Sequence, residues 1–159
     1  MKRITVDSSV CTGCRACEMA CSFAHTDTFS SDLARIRIAK KEEVGMDVPI
    51  VCQMCWRPAC VDACPVGALE RDDRLGHIIL DESRCTGCGL CTQACPHLAV
   101  SSHPETGMPL ICDLCGGEPA CVERCVVRAI RFEQPDRALA RRRVQLAATR
   151  TAAERGGSL

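Results

Sequence analysis

The chain has 159 residues, twenty basic and twenty acidic side chains, three Phe, one Trp and no Tyr. That length gives one domain or two small ones, and so few large apolar side chains leave a thin core unless something else staples the fold. Six arginines and two acids lie from Asp136 onward, so residues 1–135 are net acidic by four charges. This argues against a nucleic-acid footprint, and no apolar run is long enough to span a bilayer.

The N-terminal MKRITVDSS carries no apolar stretch of a secretory signal and reads as a strand over Ile4–Asp7. Cys11, Cys14, Cys17 and Cys21 come next as C-x2-C-x2-C-x3-C. Residues Ala34–Ala39 alternate apolar and polar, predicting a half-buried strand. Cys52, Cys55, Cys60 and Cys64 form a second quartet, and residues 68–71 and 77–80 read as the arms of a hairpin. Cys85, Cys88, Cys91 and Cys95 repeat the first spacing, and Cys112, Cys115, Cys121 and Cys125 a stretched form of it. A short strand is expected over Ala129–Phe132. The Ala- and Arg-rich stretch 136–154 predicts a helix, stopped by Gly156-Gly157-Ser158. Each quartet is expected to be a loop over three cysteines followed by a helical turn carrying the fourth. Gly13, Gly87 and Gly89 permit the bends.

An internal duplication organises these elements. CTGCRACEMAC (11–21) matches CTGCGLCTQAC (85–95), and PIVCQMCWRPACVDAC (49–64) matches PLICDLCGGEPACVERC (109–125) with one residue inserted. The unit is a pair of quartets, present twice. The expected fold is therefore α+β: a duplicated bacterial-ferredoxin-like domain over 1–135, then an Arg-rich helical tail over 136–159.

A cubane has four irons, each wanting one thiolate. C-x2-C-x2-C supplies three from one short loop, and in two-cluster ferredoxins the fourth cysteine crosses to the other cluster. Sixteen cysteines with none left over predict four [4Fe-4S] clusters. Zinc could be held by sixteen thiolates too, but zinc sites use two separated C-x2-C pairs, and a third cysteine at the same short step favours iron–sulfur. In a reducing cytoplasm, where the chain is expected to work, clustered cysteines favour metal over disulfides. Pro65 and Pro96 follow the fourth cysteine of quartets two and three, whereas Ser22 and Val126 stand there in one and four. That pattern hints at nested pairing, two with three and one with four.

The order and spacing of the quartets resemble those of the four-cluster iron–sulfur subunits that accompany molybdenum and tungsten enzymes. Examples are the electron-transfer subunits of dimethyl sulfoxide reductase, formate dehydrogenase, formate hydrogenlyase and carbon monoxide dehydrogenase. The resemblance spans about residues 2–132 and implies four ligand sets. The inner quartets would give Cys52, Cys55, Cys60 with Cys95, and Cys85, Cys88, Cys91 with Cys64, a unit over about 48–100. The outer ones would give Cys11, Cys14, Cys17 with Cys125, and Cys112, Cys115, Cys121 with Cys21. The short inter-quartet segments resemble the small iron–sulfur subunit of bacterial tungsten aldehyde oxidoreductases, which sits between a tungsten subunit and a flavin subunit. The implied function is relay of single electrons from a larger oxidoreductase to an acceptor such as a flavin/NAD subunit. A free-standing diffusible polyferredoxin, or a subunit of a hydrogenase, formate dehydrogenase or carbon monoxide dehydrogenase, is the alternative.

No flavin, nicotinamide or phosphate-binding fingerprint is present, and no nucleophile–base set, so no catalytic residue is assigned. His25, His77, His97 and His103 read as surface or ligand-supporting positions, with His97 adjoining Cys95-Pro96. Trp56 is expected to shield a cluster. The tail has two readings, a solvated end or a helix that docks a partner; stacking of further copies is also conceivable, but no residue argues for it.

Overall fold

The computed structural model describes the backbone of residues 1–156 and the side chains of residues 1–146. Eight short strands and five α-helices follow one another among them. The strands are β1 (Arg3–Val6), β2 (Arg37–Lys41), β3 (Met46–Ile50), β4 (Leu69–Arg71), β5 (Ile78–Leu80), β6 (Ser101–Ser102), β7 (Pro109–Leu110) and β8 (Ile130–Glu133). The helices are α1 (Ala16–Thr26), α2 (Ala59–Asp62), α3 (Leu90–Ala94), α4 (Ala120–Glu123) and α5 (Pro135–Gly156). The expected α+β class is what the chain adopts.

The strands form four separate antiparallel pairs, β1–β8, β2–β3, β4–β5 and β6–β7. Only β1–β8 joins distant sequence, pairing Ile4 with Phe132 and Val6 with Ile130. It ties the start of the cysteine-rich body to its end, and both Ile4 and Ile130 are buried. The other three are local pairs between or beside quartets. The expected strand over 34–39 starts later, at Arg37, and runs to Lys41, pairing with β3. The alternation is nonetheless a true burial signal, since Ala34, Ile36 and Ile38 are all buried. The chain reaches the core before it finds a ladder partner.

Proline follows the fourth cysteine in quartets two and three. Proline disfavours helical geometry in the residue before it, and α2 and α3 end before Pro65 and Pro96. Quartet one has Ser22 there and α1 runs on to Thr26, whereas α4 stops at Glu123 although Val126, not proline, follows Cys125. Ser22 is fully buried there, its Oγ donating to the Met19 carbonyl at 3.1 Å and accepting from the Ser30 amide at 3.0 Å. Contrary to expectation, the third cysteine of every quartet already stands on its helix (Cys17, Cys60, Cys91, Cys121) rather than in the loop before it.

Packing follows the nesting hinted at by the prolines: α1 lies on α4, and α2 on α3. Two apolar clusters result, a larger one around Ile4, Ile36, Val51, Leu114 and Ile130, and a smaller one around Leu69, Ile78, Val100 and Ile111. Cysteines belong to both, so the core is built around sulfur.

The tail folds back over β1. Pro135 opens α5, a position where its missing N–H is no loss. Arg141 meets Glu133 at 2.9 Å, and Gln145 Nε2 donates to Asp7 at 2.9 Å. Leu139, Val144 and Leu146 remain exposed, while the Ala147 side chain and the stop residues Gly157 and Ser158 lie outside the described residues. Among the described residues no helix is long and apolar enough to cross a membrane.

Candidate metal centres

Three small cavities are each lined by four cysteines. One brings together Cys11, Cys14, Cys17 and Cys125. A second brings together Cys52, Cys55, Cys60 and Cys95, and a third Cys64, Cys85, Cys88 and Cys91. The remaining four converge as well: Cys121 feels the charges of Cys21 and Cys115, and Cys112 those of Cys121 and Cys21. Each group thus takes three cysteines from one quartet and one from its nested partner. A groove between β1 and α5 contains no cysteine.

In quartet one, helix geometry explains the crossing. The third and fourth cysteines of a quartet are four residues apart, which on a helix puts them on one face, a turn apart. α1 therefore hands Cys17 to one cavity and Cys21 to the next. In the other quartets, contrary to expectation, the helix ends before the fourth cysteine: α2, α3 and α4 carry Cys60, Cys91 and Cys121, and Cys64, Cys95 and Cys125 follow just beyond the helix and enter the neighbouring group. Each of three crossing sulfurs meets a backbone donor where the chain turns away: Ala68 N–H to Cys64 at 3.2 Å, Ala99 N–H to Cys95 at 3.4 Å, Arg35 N–H to Cys21 at 3.2 Å. Burial opposes ionisation of the Cys64 thiol, but the amides of Ala68, Val66, Leu69 and Gly67 around it outweigh that and hold it below the usual thiol range.

The residue before the second cysteine is left-handed in all four quartets: Gly13, Met54, Gly87 and Leu114, with φ of 62°, 50°, 66° and 61°. Glycine adopts this freely, whereas for other residues it costs about 1–2 kcal/mol. Quartets two and four accept that cost, and Leu114 gains full burial in return. Asp113 supports the last loop by accepting from the Cys115 amide at 2.9 Å.

The donor set fits iron–sulfur clusters on its own chemistry. Burial pushes the Cys17 thiol up to about 12, with Glu18 adding to the rise, and Cys60 up to about 11. Burial likewise raises Cys52, Cys91, Cys112 and Cys121, with neighbouring cysteines adding to the effect. Sulfurs this buried become thiolates only against a strongly positive centre. Soft thiolates in fours, with backbone amides aimed at them, suit iron–sulfur clusters.

The four groups form a row. Cys52 and Cys112 share one apolar cluster and the charge of Cys52 acts on Cys112, which places their two groups in the middle. The exposed cysteines, Cys14 and Cys88, belong to the two end groups. Quartets nested inside in sequence are thus not inside in space, because each nested pair supplies one middle and one end.

Several supporting residues differ from expectation. Trp56 is 82% exposed and stacks under Arg71 at 5.2 Å instead of shielding a cavity. His97 does line the cavity of Cys52, Cys55, Cys60 and Cys95. His25 is no scattered surface residue: its Nε2 lies 3.0 Å from Asp113, and Arg35 meets the same carboxylate at 2.6 Å. Its imidazole is raised to about 10, chiefly by the Asp113 hydrogen bond, and sits close to Cys115. Residue spacing could not reveal this cross-link, which joins positions 88 apart.

Known proteins share these features. A profile described as a 4Fe-4S dicluster domain matches residues 44–135, and one described as a 4Fe-4S binding domain matches residues 8–24. The chain is similar to the polyferredoxin-like subunit of an aliphatic sulfonate oxidoreductase from Pyrococcus furiosus, 39% identical over 77% of this chain and 70% of that one. It is also similar to the thiosulfate reductase electron transfer subunit of Salmonella typhi, 34% identical over 82% of this chain and 74% of the other. Among solved structures, a chain of the active-site complex of benzoyl coenzyme A reductase superposes with a TM-score of 0.51 at 28% identity, covering 86% of this chain and 80% of that one.

Proposed function

Because the chain belongs to the 4Fe-4S dicluster family of iron–sulfur proteins, we propose that it is a non-catalytic electron-transfer subunit carrying four [4Fe-4S] clusters in a row. The observation that carries this reading is the convergence of sixteen cysteines into four groups of four, each shared between two quartets. The ligand sets are Cys11, Cys14, Cys17, Cys125; Cys21, Cys112, Cys115, Cys121; Cys52, Cys55, Cys60, Cys95; and Cys64, Cys85, Cys88, Cys91. When bound, each cluster accepts and releases one electron without breaking bonds.

The chain's own residues do the rest. The packing of α1 on α4 and of α2 on α3 sets the two groups of each nested pair side by side, as hopping needs. Buried Val51, Leu114, Ile36 and Ile111 keep water from the middle of the row, and the amides at Cys21, Cys64 and Cys95 favour the reduced, more negative state. Cys14 and Cys88 bring the two ends to the surface, where partners can exchange electrons.

The partner is a larger catalytic oxidoreductase subunit in the cytoplasm, of the tungsten aldehyde oxidoreductase class, with a flavoprotein as acceptor. The compact inter-quartet segments support this choice, and relatives named as subunits of oxidoreductases support the subunit role in general. The exposed Leu139, Val144 and Leu146 on α5 suit a docking element better than a solvated tail. Iron and acid-labile sulfide on anaerobically isolated protein test the cluster count, about sixteen irons being expected for four cubanes. Affinity isolation from the native host, with metal analysis of what co-purifies, tests the partner: a tungsten-containing chain is expected. Deletion of 136–159 should abolish that co-purification at full iron content. Unchanged assembly would remove the docking role.

A further inference from the structure

One carboxylate is placed where the cysteine scaffold does not require it. Glu18 follows Cys17 on α1 and is 2% exposed. Its Oε1 accepts from the Ile38 amide at 2.6 Å, and Ile38 lines the cavity of Cys11, Cys14, Cys17 and Cys125. Its Oε2 is buried without a hydrogen-bond partner; only Arg15 approaches, at 3.8 Å, from a half-exposed side chain. The carboxylate stands in the first turn of α1, at the positive end of the helix dipole. A buried charge is poorly screened, so its effect on a neighbouring site is large compared with that of a surface acid.

The duplication supplies the control. In the matching segment 85–95, Thr92 stands where Glu18 stands in 11–21, and Gly89 where Arg15 stands. The end group at Cys64, Cys85, Cys88 and Cys91 therefore has a neutral, half-buried residue at the same place on its helix. Both ends have the same spacing of ligands, but of Glu18 and Thr92 only the former sets a buried carboxylate against its end.

We propose that Glu18 is a positioning residue of charge, which lowers the reduction potential of the site at Cys11, Cys14, Cys17 and Cys125. It thereby makes this end the donor end of the row. Adding an electron beside a fixed carboxylate is disfavoured, and giving it up to the next site is favoured. The step is a one-electron oxidation of the Cys11 end coupled to one-electron reduction of its neighbour, with no proton or bond exchanged. The inference rests on the four-cluster reading.

The test is a potentiometric titration of the full holoprotein with dithionite, followed by EPR, for wild type and Glu18→Gln. Glutamine keeps the acceptor for the Ile38 amide and removes only the charge. The signal belonging to the Cys11 end is the one altered by Cys14→Ser. It should move to higher potential in Glu18→Gln while the other three stay in place. An unmoved signal at full iron content overturns the proposal, as does an equal shift of all four. Arg15→Gly is the second variant: it removes the nearby cation where Gly89 is the natural counterpart, and should move the same signal the other way. If Glu18→Gln loses iron, this second variant decides, and no downward shift overturns the proposal. Fewer than four clusters in wild type would count against the four-cluster reading itself, and iron analysis separates the two failures.

Discussion

The two ends of the row are made by nearly the same eleven residues, CTGCRACEMAC and CTGCGLCTQAC, yet they sit in different surroundings. At the Cys88 end, Gly89 starts a five-residue helix that Pro96 terminates. At the Cys14 end, Arg15 holds the same left-handed start at a cost, α1 runs eleven residues, and Glu18 is sealed inside. Duplication therefore preserved the spacing that grips iron and let everything around it drift. Ligand geometry is common to both ends, while helix length and buried charge are particular to one. Direction along a wire needs such a difference.

The contrast between the ends can be broken at several scales. Removing iron and sulfide is expected to have the largest effect: with few large apolar side chains, the apo chain should lose native circular dichroism cooperatively at both ends, and recover it only on reconstitution. A native apo spectrum would mean that the apolar clusters suffice alone. Next, Cys91→Ser should disturb one end site, remove up to about four irons, and cut electron flux severely with partner assembly intact. Flux equal to wild type would break the linear row.

The left-handed loop positions come next. Leu114→Gly should destabilise the holoprotein by roughly 2–4 kcal/mol in a urea titration, because a fully buried side chain is lost and only about 1–2 kcal/mol of strain is relieved. Met54→Gly, at the matching position with partial exposure, should fall within about 1 kcal/mol of wild type. Equal costs would show that the two loops are not packed differently. The smallest expected change is a gain: Arg15→Gly should stabilise by about 0.5–1 kcal/mol, as it relieves a left-handed arginine. A loss of that size would mean that the pairing of Arg15 with Glu18 outweighs the strain.

Much of the body was legible in the sequence because thiolate spacing is itself geometry. The four quartets, the hairpin over residues 69–80 and the closing strand near residue 130 follow from cysteine steps and local alternation, whereas the nested sharing is implied by the family resemblance and only hinted at by the prolines. The unread features have a common cause. Met54 and Leu114 lack the glycine that announces a left-handed bend, and only comparison with Gly13 and Gly87 across the repeat betrays them. The late start of β2 depends on where β3 arrives. The cross-link of His25, Arg35 and Asp113 and the burial of Glu18 depend on α1 lying on α4, a tertiary fact with no local signature. Trp56 shows the reverse error: adjacency to Cys55 suggested shielding, but the residue faces out toward Arg71.

The helix that gives one sulfur to each of two neighbouring cavities has a consequence for how the protein is made. A pair with one cavity filled would leave each of its two C-x3-C steps with one committed cysteine and one idle thiol, held in place beside an empty neighbour. Filling the first cavity thus supplies in advance the ordering needed for the second. Maturation should proceed in two bursts, one for the α1–α4 pair and one for the α2–α3 pair. Oxygen damage that strips one member should carry its partner away with it.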